Sequence, residues 1–171
     1  VCITVSRISE EKRLNIIPHI AKLTDKSISF FIVGGRGPEE TLYSLLKEIE
    51  KLKVADRVKV LTDVSNDQLR TLLWKSKVYL HTMKNELFGI AIAEGMSSGC
   101  IPVVHDSGGP REIVPEHLRY KSIEEAAEMI EKATFEWCPE YAEKTSKIAK
   151  KFDEDAFSKK FLGFMNSHAK K

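Results

Sequence analysis

Short runs, apolar nearly throughout, alternate along this chain with segments of helical spacing. The runs cover residues 1–5, 29–33, 58–61, 78–81 and 101–105, and they are β-branched or aromatic nearly throughout. Strands covered on both faces read this way, because neither face can be polar. Between them, Leu42, Leu45, Leu46, Ile49 and Leu52 recur at helical spacing after Pro38, and Leu69, Leu72 and Leu73 follow a Ser65-x-x-Gln68 capping box. The first helix carries Ile16, Ile17, Ile20 and Leu23; with Asn15 as its cap, Pro18 falls in the first turn, where a missing N–H is no loss. Alternation with short connections makes each unit a βαβ crossover, so the pattern predicts a Rossmann-like, doubly wound parallel sheet of five strands, with a short sixth at 118–120. From Ser122 onward the spacing is wholly helical. Ser122-x-x-Glu125 caps a helix with Ile123, Ala126, Ala127 and Ile130, Pro139 restarts the chain, and Phe152, Phe157, Phe161 and Phe164 mark a last helix whose phenylalanines are expected in the core.

Composition narrows the class. The 171 residues are 42% hydrophobic and 30% charged, which suits one globular domain burying roughly 70% of its unfolded surface. With 27 Lys and Arg against 25 Asp and Glu, the formal charge is +2, too small a surplus to make nucleic acid the expected partner. The most apolar stretch, 87–96, is interrupted by Glu94 and two glycines, so no segment reaches the roughly 20 residues that span a bilayer. Cys2, Cys100 and Cys138 are odd in number and far apart, which indicates neither a disulfide framework nor a zinc site, and a reducing cytoplasm is the expected setting. The opening Val1-Cys2-Ile3-Thr4-Val5 has no initiator Met and reads as a strand entered from upstream, as in a fragment of a larger protein.

Ligands of an open parallel sheet bind beyond the carboxyl ends of its strands. The first such segment, 6–12, carries Arg7 and Lys12 and no G-x-G-x-x-G, which leaves a dinucleotide fold unsupported. Gly34-Gly35-Arg36-Gly37 has Glu40 where that fingerprint needs its third glycine and reads as a tight turn. After the fourth strand, Glu86 falls in a loop and a helix is expected to start near Gly89 and end at Gly99. Glu94 lies about one turn into that helix among Ile92, Ala93 and Met96, where a buried carboxylate needs a hydrogen-bonding ligand such as paired sugar hydroxyls. The helix amino terminus and the close approach allowed by Gly89 favour a phosphorylated ligand, with Arg7 and Lys12 adding charge.

Each residue also has a plainer explanation. Arg7 can pair with Glu10 or Glu11 at the surface, Lys12 can be an ordinary exposed lysine, and Glu86 and Glu94 can be a loop acid and a structural acid. Phe88 suits core and site equally. His81 and His105, at strand ends, are expected to be hydrogen-bonded structural histidines. Lys147, Lys150, Lys151, Lys159, Lys160, Lys170 and Lys171 suit a solvated helix face, with contact to anionic lipid as the alternative.

Glu86-x7-Glu94 around Phe88-Gly89-Ile90, followed by Gly99-Cys100-Ile101-Pro102-Val103-Val104 and Ser107-Gly108-Gly109-Pro110-Arg111-Glu112-Ile113-Val114, resembles the retaining glycosyltransferases of family 4 across nearly the whole chain. Ser6-Arg7 with Lys12 matches that family's first-loop basic pair, and 58–65 matches its segment near the base. Within the family, segments 81–90 and 105–110 are most similar to mannosyltransferases that extend lipid-linked oligosaccharides from GDP-mannose.

The resemblance implies one half of a two-domain GT-B enzyme: residues 1–171 as the carboxyl-terminal, nucleotide-sugar-binding domain, with 139–171 a helical tail packing toward an amino-terminal, acceptor-binding domain. It implies that Arg7 and Lys12 bind the diphosphate and that Glu86 faces the donor sugar. Glu94 would take the ribose, the backbone of Phe88, Gly89 and Ile90 would contact sugar and phosphate, and Val64, Ser65 and Asn66 would lie by the base. No metal or other cofactor is expected, since the cations neutralise what a divalent ion would. Leu87, Arg13 and Gly95 depart from the family's commoner Gly, Gly and Ala, and the loop after Val114 lacks its usual Asp-Gly turn. The implied partners are a nucleotide-sugar donor and a glycan or lipid-linked acceptor, with peripheral contact at the cytoplasmic membrane face. The alternatives are a UDP- or ADP-sugar donor, a non-catalytic nucleotide-binding module, and an NAD-dependent oxidoreductase, which the absent glycine fingerprint disfavours.

Overall fold

The structure is a computed structural model that describes residues 1–168. Within them, β1 (Cys2–Val5), β2 (Phe30–Gly34), β3 (Val58–Thr62), β4 (Val78–His81), β5 (Ile101–His105) and β6 (Arg119–Tyr120) form one sheet in the order β3-β2-β1-β4-β5-β6. Every pairing is parallel; Cys2 sits beside Phe30 on one side and Val78 on the other. The winding reverses between β1 and β4, the position where a doubly wound sheet opens a crevice at its carboxyl edge. The sixth strand is two residues long, paired through Val104 to Arg119 and His105 to Tyr120.

The helices are α1 (Ile17–Leu23), α2 (Glu39–Lys51), α3 (Asn66–Trp74), α4 (Ile90–Ser97), α5 (Pro110–Ile113), α6 (Ile123–Phe135), α7 (Pro139–Ala149) and α8 (Glu154–His168). At α3 the capping box is complete: Ser65 Oγ accepts from the Gln68 N–H while the Gln68 side chain accepts from the Ser65 N–H. Ser122 accepts from the Glu125 N–H in the same way, but the Glu125 carboxylate takes the Lys121 N–H instead of closing the box. Ile16, not Asn15, stands at the cap of α1, because the turns Glu10–Lys12 and Leu14–Ile16 tighten the chain ahead of it; Pro18 is in the first turn as expected.

Gly34 and Gly37 do more than make a tight turn. A Cβ at either would lie 1.7 Å from Ser6 O or 1.6 Å from Ile8 O, so their bare backbones let the loop after β2 pack directly on the loop after β1. That contact helps fix the segment that carries Lys12.

The inner strands of the sheet are buried on both faces, including Ile3, Ile32, Leu80 and Val103, whereas the edge strand β3 is largely half-buried with Lys59 exposed. Arg57 is also buried and donates to carbonyls of Ala21, Thr24, Asp25 and Ile28, closing the carboxyl end of α1. The tail departs from expectation. Helix α7 packs on α4, and Phe152 lies half-buried with its ring edge-on to Phe88, centroids 5.8 Å apart. Phe157, Phe161 and Phe164 of α8 are exposed rather than core, because among the described residues α8 leans mainly on the turn Lys150–Phe152. Lys147 pairs with Glu143 at 2.7 Å, while Lys170 and Lys171 lie outside the described residues. Among the described residues no helix is long and apolar enough to cross a membrane.

Candidate active site

The two halves of the sheet send one loop each to the switch point. From the β1 side comes Lys12, at the end of the first turn, and from the β4 side comes Glu86. Lys12 Nζ donates to Glu86 Oε2 at 2.9 Å across 74 residues of sequence, and also lies 3.1 Å from Met83 Sδ. Both side chains are largely buried, so this is no solvated surface pair. His81, the last residue of β4, is only 4% exposed, and its Nε2 lies 3.4 Å from the same carboxylate oxygen without hydrogen-bond geometry or, among the described residues, another partner. The other oxygen of Glu86 accepts from the Leu87 N–H at 3.0 Å.

The loop is held from outside as well. Gly109 N–H donates to the Glu86 carbonyl at 2.8 Å, and Asn85 N–H donates to Ser107 Oγ at 2.8 Å. Gly89 caps α4 at φ 91°, a left-handed conformation that favours glycine, which turns the chain so that the head of α4 faces the crevice. Arg13 reaches the same region at φ 52° and donates to the Thr82 carbonyl at 3.4 Å.

Electrostatics follow from this packing. Burial raises the Glu86 carboxyl, but the Lys12 hydrogen bond and charge, the nearby His81 and the Leu87 N–H outweigh it and leave the group below the usual range. Burial pushes His81 down to about 4; Glu86 pulls the other way, and Lys12 adds to the fall. Near neutrality the cluster therefore holds an ammonium, a carboxylate and a neutral imidazole.

Other expected site residues are placed differently. Arg7 is exposed and pairs with Glu11 at 3.3 Å. Glu94 is exposed on α4, so it does not need a ligand to offset burial. It lines one hollow of about 470 Å³ with Phe88, Ile90, Ser97 and Phe157, and another of about 410 Å³ with Asn66, Arg70 and Trp74; neither includes Glu86. Phe88 and Ile90 are exposed and Gly89 is buried. Val64 lies on the other flank of α3, in a hollow of about 440 Å³ with Leu61, Asp67 and Leu72, and Ser65 is engaged as the cap. Asn66 therefore shares space with Glu94, whereas Val64 does not. His105 is hydrogen-bonded to Ser107 at 2.9 Å, as expected of a structural histidine. His81 departs from that expectation: among the described residues its Nε2 has no hydrogen-bond partner.

A sheet of this order, with its winding reversed between β1 and β4, defines a Rossmann-like domain. The chain belongs to the glycosyl transferases group 1, whose family profile matches residues 1–152. It is 36% identical over 146 residues to the GDP-Man:Man(3)GlcNAc(2)-PP-Dol alpha-1,2-mannosyltransferase of Dictyostelium discoideum, covering 78% of this chain and 28% of that protein. It is 32% identical over 143 residues to a subunit of the phosphatidylinositol N-acetylglucosaminyltransferase of Homo sapiens, again covering 78% of this chain and 28% of that protein. The chain thus spans about a quarter of the length of these relatives. Its fold is shared with the Anabaena HepE protein solved with UDP, at a TM-score of 0.84 and 21% identity over 97% of this chain and 48% of that one.

Proposed function

We propose that this chain is the donor-binding part of a retaining glycosyltransferase that moves mannose from GDP-mannose to a glycan or lipid-linked acceptor. The similarity that carries this assignment is the 36% identity over 146 residues to a relative named for mannosyl transfer from GDP-Man. The meeting of Lys12 and Glu86 at the switch point supports it. The donor's diphosphate is met by Arg7, Lys12 and the head of α4, which stabilise charge on the departing nucleotide without a metal. Glu86 holds the sugar hydroxyls and steadies an oxocarbenium-like centre, and the backbone of Phe88, Gly89 and Ile90 contacts sugar and phosphate. Glu94 takes the ribose, with Val64, Ser65 and Asn66 on the side of the base.

The acceptor is bound mainly by an amino-terminal half of the longer protein, against which residues 139–171 pack through the exposed phenylalanines of α8. The enzyme works at the cytoplasmic face of a membrane, and the 171-residue chain alone binds donor weakly and transfers no sugar. A UDP-sugar donor is the second reading, favoured by the human relative's N-acetylglucosaminyl transfer and by UDP in the HepE structure. Calorimetric titration of GDP, UDP and ADP separates these, since only the base differs. GDP is expected to bind tightest, and equal binding of all three would remove the assignment. Lys12→Met should weaken GDP binding at least tenfold, and in the longer enzyme should cost about 3 kcal/mol of transition-state stabilisation.

A further inference from the structure

The Lys12–Glu86 contact poses a problem for a donor-binding site. Lys12 cannot give its full charge to a diphosphate while it stays 2.9 Å from Glu86 Oε2. If it turns to the phosphates, Glu86 loses its strongest partner, yet the carboxylate is mostly buried and an uncompensated buried charge is costly. One group is already in place to replace it. His81 is 4% exposed at the end of β4, and its Nε2 has no other partner among the described residues and sits 3.4 Å from the same oxygen. Its strand is held firmly: the His81 carbonyl accepts from Tyr120 Oη at 3.1 Å.

We propose that His81 is a positioning residue, the reserve partner of Glu86, which takes one proton from solvent as Lys12 moves to the donor's diphosphate and so keeps the carboxylate aimed at the sugar. The charged groups around it set the direction. Lys12, from the turn after β1, and Glu86, from the loop after β4, act on the imidazole directly; Arg13 binds the adjacent Thr82 carbonyl, and Tyr120 on the β6 side contributes a neutral hydroxyl. With Lys12 in place the imidazole stays neutral. Once Lys12 turns away, Glu86 and the incoming phosphates both favour the imidazolium.

The donor half of this inference rests on the function proposed above, but its geometric half can be tested without donor. In the 171-residue chain, imidazole resonances of His81 followed by NMR should titrate at higher pH in Lys12→Met than in the natural protein. In Lys12→Met/Glu86→Gln that rise should vanish. Calorimetry with GDP-mannose in two buffers of different ionisation enthalpy at pH 7 should show uptake approaching one proton, reduced to near zero in His81→Gln. An unchanged His81 titration in Lys12→Met would overturn the inference whether or not donor binds. Binding with no proton uptake would overturn it while leaving the proposed function standing, whereas a chain that binds no nucleotide sugar at all would remove the function and leave the variant titrations to decide the geometry.

Discussion

At the scale of the residue, the size of one side chain dictates the identity of its neighbour. Gly95 stands on α4, and a Cβ there would lie 2.3, 2.6 and 3.0 Å from Cδ2, Cγ and Cβ of Tyr79. Those atoms are near the Tyr79 backbone and its ring is fully buried, with Oη donating to the Val5 carbonyl at 3.0 Å, so the ring cannot swing aside. The large tyrosine on β4 therefore requires the glycine. Gly95→Ala should destabilise the fold by about 1–3 kcal/mol, the usual cost of overpacking a filled core. A shift of the urea midpoint to lower concentration at unchanged slope is the expected result. Combining it with Tyr79→Leu should cost less than the two single changes added together, and simple additivity would show that the two residues do not compete for the same space.

Elements were legible wherever one local pattern settles the outcome. Runs such as Phe30, Phe31, Ile32 and Val33 announce a strand covered on both faces, and Ser65-x-x-Gln68 names a helix start without help from tertiary structure. The cap is a measurable contribution: Ser65→Ala should cost about 1 kcal/mol, while Gln68→Ala, which frees one N–H at an exposed site, should cost less; equal losses would mean the box acts as one unit. The pattern fails where the deciding partner lies far away in sequence. Spacing of Phe157, Phe161 and Phe164 says that α8 has an apolar face but not what meets it, and the face is exposed. Apolar neighbours around Glu94 suggested burial, yet the helix turns that position outward. The tie between Lys12 and Glu86 spans 74 positions and no local pattern announces it, and the expected hydrogen bond of His81 is lacking because its surroundings are assembled from β4, the first loop and the loop after β4 together.

The buried cluster at the switch point also shapes the acid stability of the whole molecule. An unfolded chain protonates His81 near its ordinary value of 6.5, whereas the folded chain delays this to about 4, so between those values the unfolded state binds more protons. Stability therefore falls as pH drops from 6.5 toward 4, by up to about 3 kcal/mol from this one group. Glu86 acts in the same direction over a lower window: its carboxyl is held below the ordinary 4.5, so its contribution is present above that value and is lost as pH falls through the folded one. The exposed acids Glu11, Asp25 and Glu124 also titrate low, held by hydrogen bonds from Ser9, Ser27 and their own backbone, and add acid sensitivity that is not specific to the cluster. Comparing the natural chain with His81→Gln removes that background, because glutamine stays neutral throughout. Urea unfolding at pH 7.5, 6, 5 and 4.5 should give a stability curve for His81→Gln that is clearly flatter between pH 6.5 and 4.5, even if the variant is less stable at neutral pH. Parallel curves would mean that the imidazole is solvated in the folded chain and that the carboxyl edge of the sheet is wetter than its packing indicates.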